Sequence, residues 1–75
     1  MAATSEHWSS LAKRHLKAEL KRADVPYAEL AKRLTEMGLP ETVSSIAMKI
    51  NRGAFPAWFL FAVMHAIGAH TLRLD

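Results

Sequence analysis

Apolar positions recur along this chain at helical intervals, with proline and glycine as punctuation. Trp8, Leu11, Ala12, Leu16, Leu20 and Ala23 fall three to five residues apart, which predicts a first amphipathic helix over about 5–23. Its other face carries Lys13, Arg14, Lys17, Lys21 and Arg22. Glu6 near the start and Lys21 and Arg22 near the end suit the helix dipole, and Ser5 is placed to cap the first turn. Asp24 and Val25 break the pattern before Pro26, because a residue preceding proline is pushed out of the α region while proline itself suits a helix start. A second helix over about 26–37 follows, with Tyr27, Leu30, Ala31, Leu34 and Met37 as its apolar stripe and Glu29, Lys32, Arg33 and Glu36 outside it. Gly38, then Leu39, then Pro40 reads as a helix stop, with Leu39 folded back onto the last turn.

Thr42 is the expected N-cap of a third helix over about 42–52, closed by Gly53. Val43, Ile46, Ala47 and Ile50 repeat at three and four, so this helix is expected to bury one narrow side. Ser44, Ser45, Met48, Lys49 and Arg52 are left on the outside. A fourth helix, over about 55–67 with Pro56 in its first turn, is apolar on nearly all sides through Trp58, Phe59, Leu60, Phe61, Val63, Met64 and Ile67. A domain of this size cannot bury such a helix all round, so a second subunit or the remaining chain is expected to cover part of it. With Leu60, Val63, Met64 and Ile67 facing the bundle, Trp58, Phe59 and Ala62 are left for a homodimer interface. Thr71 to Leu74 alternates polar and apolar residues, compatible with a short strand or a fifth helical turn.

The 75 residues allow one domain, 1–75, and exclude a multidomain enzyme. Half the residues are hydrophobic (51%), enough for a dense core, and disorder is excluded. Without cysteine there is no disulfide framework, thiol chemistry or thiolate metal site. Neither a secretory signal nor a membrane helix is visible, so a soluble cytoplasmic protein is expected. Ten Lys and Arg against seven Asp and Glu leave a formal charge of +3, compatible with a polyanionic partner.

The second helix, the turn, the third helix ending Lys49-Ile50-Asn51-Arg52-Gly53 and the apolar helix ending Ala66-Ile67-Gly68 resemble a lambda-repressor-like helix-turn-helix domain. More closely, the chain resembles a small bacterial family of unknown function that pairs an opening like Leu16-Lys17-Ala18-Glu19-Leu20-Lys21-Arg22 with Tyr27, Leu30-Ala31 and Arg52-Gly53. The resemblance covers about Leu11 to Leu74. It implies an all-α, compact four- to five-helix bundle in which the exposed third helix meets double-stranded DNA, as a homodimer and probable class of transcriptional regulator. By that correspondence Ser44, Ser45, Met48 and Lys49 inherit base reading, and Tyr27 sits at the phosphate backbone. Lys32, Arg33, Lys49 and Arg52 are the favoured cationic contacts. In one respect the chain departs from the pattern: Thr35 to Glu41 is longer than the usual turn of three or four residues.

The alternative is a protein-interaction or dimerisation module that uses the fourth helix without DNA. An enzyme is not expected, since no nucleophile stands beside an oriented base and there is no phosphate loop or carboxylate pair. His7, His15, His65 and His70 are spread over different elements, and His65 and His70, five apart, fit no zinc pattern, so no metal and no cofactor is expected.

Overall fold

The computed structural model describes residues 4–72 and 74. Four helices follow one another: α1 (Ser5–Ala23), α2 (Tyr27–Glu36), α3 (Val43–Arg52) and α4 (Ala57–Ala66). No strand occurs among the described residues, and the chain is an all-α bundle. Thr71, Leu72 and Leu74 are neither strand nor helical turn, while Arg73 lies outside the described residues. No helix is long and apolar enough to cross a membrane among the described residues.

Local chemistry sets the helix ends. Thr4, not Ser5, caps α1: its backbone is extended and its hydroxyl oxygen accepts from the His7 N–H at 3.2 Å, leaving Ser5 as the first helical residue. At the other end Asp24 takes a left-handed φ of 58°, which lets the Val25 N–H reach back to the Leu20 carbonyl at 3.0 Å. Val25 is buried there, supplying the apolar contact that accompanies this type of stop. Pro26 and Pro56 are extended N-caps rather than first-turn residues, so α2 and α4 each begin one residue after the proline. Leu39 does fold back, its N–H donating to the Leu34 carbonyl at 2.9 Å after Gly38 turns left-handed. Thr42 caps α3 in a reciprocal box, accepting from the Ser45 N–H at 3.0 Å while its own N–H donates to Ser45 Oγ at 2.9 Å.

The core is built from Leu16 and Leu20 of α1, Val25, Leu30 and Leu34 of α2, Ile46 and Ile50 of α3, and Phe59 and Val63 of α4. Helix α3 packs against α1 and α2, and α2 also packs against α4. Burying each of these side chains contributes about 1.5–3 kcal/mol. Three residues expected inside are exposed: Trp8 (58%), Val43 (47%) and Met37 (41%). All three stand at helix ends, where no neighbouring element covers them. Phe59 runs the other way. Expected at an outer surface, it is 1% exposed and wedged between its own helix and α3.

Helix α1 is nearly twice as long as the others, about 28 Å against about 15 Å at 1.5 Å per residue. All its buried positions, Leu16, Glu19 and Leu20, lie in its second half. The first two turns therefore overhang the core, and the molecule measures 43 × 22 × 18 Å.

Candidate nucleic-acid interface

Helix α3 presents Ser44, Met48, Asn51 and Arg52 to solvent, at spacings of four, seven and eight residues that align them along one edge. Met48 is 56% exposed and uncovered by the chain. The buried stripe of Ile46 and Ile50 on the opposite side anchors this edge to α1 and α2.

Two of the side chains expected on that edge have partners inside the protein. Lys49 forms an ion pair with Glu41, Nζ to Oε2 at 2.5 Å, and its ammonium lies 5.1 Å from the centre of the Phe59 ring. Ser45 closes the capping box and donates from Oγ to Glu41 Oε1 at 2.6 Å. The Glu41 carboxylate is thereby enclosed at the foot of α3, its side chain only 6% exposed. Burial works against its charged form, but hydrogen bonds from Lys49 and Ser45 and the Lys49 charge outweigh that cost and hold the carboxyl below the usual range. The cluster fixes the entry of the chain into α3 and cancels the Lys49 charge at the edge.

Arg33 is also engaged. Its Nε meets Glu29 at 2.9 Å, one helical turn back, and its Nη1 donates to the Ala66 carbonyl at 3.0 Å. That carbonyl belongs to the last turn of α4, where helical partners run out, so Arg33 caps α4 and ties it to α2. Lys32 stays exposed on α2. Tyr27 is half-buried at the start of α2, and burial pushes its hydroxyl above the ordinary value of 10.0, so it remains a neutral hydrogen-bonding group.

Arg52 occupies the junction of two clefts. One, about 340 Å³, lies between the opening turns of α1 and the end of α3 and is lined by Ser9, Ser10, Lys13, Asn51 and Arg52, with Glu6 at its margin. The other, about 230 Å³, runs along α3 past Ser45, Met48 and Lys49. Lys13, Ser9 and Asn51 were not among the expected contacts, since α1 was read as standing behind α3. Gly53 is the signal that brings α1 forward: at φ 62° it comes so close to α1 that a Cβ would overlap the Ser9 carbonyl.

On α4 the outward aromatic residues are Trp58 (52%) and Phe61 (72%). Ala62 packs against the core beside Phe59, so of the three residues assigned to a dimer surface only Trp58 stands free of it. The reason is Lys49: its ammonium takes up one face of the Phe59 ring from α3 and draws Phe59 beneath that helix. No three of His, Cys, Asp and Glu stand together as metal ligands among the described residues.

A family model described as a domain of unknown function (DUF6471) matches residues 8–72. Neither the curated proteins nor the solved structures hold a match to the chain.

Proposed function

Because the chain belongs to the DUF6471 family, whose function is unknown, we propose one from its own surface: binding of double-stranded DNA through α3. The observation that carries this reading is the uncovered edge Ser44, Met48, Asn51 and Arg52, ending in a cation that borders two polar clefts. A major groove about 12 Å wide admits one helix, and the small Ser44 allows close approach. Asn51 and Arg52 supply the bidentate donors suited to base edges, and Met48 offers an apolar contact to a thymine methyl. Lys13 and Lys32 flank the edge as phosphate contacts, with Tyr27 as a neutral donor to the backbone. Lys49, Ser45 and Arg33 hold the edge in place rather than touch DNA. In this proposal α2 and α3 form a lambda-repressor-like helix-turn-helix, and the protein acts by occupancy as a transcriptional regulator. No catalytic step is involved.

The test is a binding titration on random duplex at several salt concentrations. The wild-type protein is expected to lose affinity steeply with salt, and Arg52→Ala and Lys13→Ala are each expected to lower the slope by about 1 without changing helicity. Absence of salt-sensitive binding, or unchanged affinity in both variants, rejects the proposal. A second reading, a protein-interaction module using α4, is favoured by the exposure of Trp58 and Phe61. Under that reading Phe61→Ala abolishes partner binding and DNA plays no part.

A further inference from the structure

An apolar groove of about 210 Å³ runs between the overhanging half of α1 and the C-terminal tail. Trp8 and Leu11 line it from α1, Phe55 and Leu60 from the approach to α4, and Leu72 and Leu74 from the tail. It exceeds the roughly 150 Å³ apolar cavity that accepts benzene. Its rim is apolar and open, with Trp8 58% and Leu74 77% exposed. Leu60 and Leu72 also border the neighbouring groove that holds Phe61, so one apolar band runs from Trp8 to Phe61.

Surface area identifies the occupant. A compact monomer of 8.4 kDa exposes about 4,600 Å², whereas this chain exposes 5209 Å². Its radius of gyration, 12.2 Å, likewise exceeds the roughly 11.3 Å of a compact chain of this length. The surplus is on the order of 600 Å², and a standard protein interface removes about 800 Å² from each partner. Trp8 and Phe61 together supply on the order of 300 Å² of that as exposed aromatic side chain. The band also holds both a projecting aromatic and a cavity, the self-complementarity that a twofold interface requires.

We infer that the groove between α1 and the tail is a homodimer interface, in which Trp8 of each copy fills the groove of the other. This moves the dimer surface away from the outward side of α4, and it stands independently of DNA binding. Sedimentation velocity of the whole chain, from low micromolar to millimolar concentration and without DNA, tests it. The expected species has twice the 8.4 kDa chain mass and dissociates on dilution. Trp8→Ala is expected to raise the dissociation constant by roughly 30-fold or more, as removal of a central aromatic anchor does, while circular dichroism shows its helices intact. Trp58→Ala, outside the groove, is expected to leave it unchanged. A single monomeric species throughout, a dimer that Trp8→Ala leaves intact, or one that Trp58→Ala dissociates as strongly overturns the inference. A monomer whose groove takes up an apolar dye overturns it too and gives the groove to a small apolar ligand.

Discussion

Glu41 shows how one side chain redistributes the roles of its neighbours. By accepting from Ser45 and Lys49 it converts two surface candidates into structural residues. Glu41→Gln is expected to destabilise the fold at neutral pH by about 1–3 kcal/mol, the usual range for a lost hydrogen bond to a charged group. The sign with pH follows from its lowered folded-state value. The stabilisation is fully present above the ordinary value of 4.5 and is lost as pH falls through the lower folded value, so the wild-type and Glu41→Gln denaturation midpoints should converge in acid. Midpoints that keep a constant gap down to strong acid would disprove the assignment. Lys49→Met should lower stability as well, because it leaves an enclosed carboxylate unpaired, whereas Arg52→Ala should not. None of this is legible from periodicity. Lys49 lies on the polar side of its helix, and its partner stands eight residues away in a loop, where no repeat relates the two.

At the level of elements, the stops and starts written in side-chain chemistry were legible and the orientation of α4 was not. The Gly38-Leu39 stop, the Thr42 cap and the Gly53 close each depend on a residue type with one dominant backbone use, and each occurs where the sequence places it. Asp24 is different: it adopts the left-handed conformation without being glycine, and nothing in its neighbours announces that. Asp24→Gly should relieve the strain and raise stability by about 0.5–1 kcal/mol. That corresponds to a few degrees in melting temperature for a chain this size. Gly53→Ala should do the reverse by at least about 2 kcal/mol, since it adds left-handed strain to a clash with the Ser9 carbonyl. A melting temperature equal to wild type in Gly53→Ala would show that α1 does not press on α3 there. For α4, a helix apolar on nearly every side carries no periodic signal of which side faces inward. Only the approach of Lys49 from α3 decides that Phe59 goes in and Phe61 stays out.

Across the whole molecule, fold class, helix number and helix order were legible because four amphipathic or apolar segments with short connections have few ways to share one core. The surface was less so, because the part α1 plays there depends on how far it overhangs, which is a matter of relative helix lengths in three dimensions. If the groove joins two copies, the melting temperature should rise with protein concentration in the wild type and become nearly flat in Trp8→Ala. The overhang has one more effect. Its opening turns hold Trp8, which lines the apolar groove, next to Ser9, which lines the polar cleft with Arg52. A single lever of helix thus serves both surfaces, so whichever partner arrives first stills it for the other. Self-association and nucleic-acid affinity would then reinforce each other reciprocally, as linkage demands.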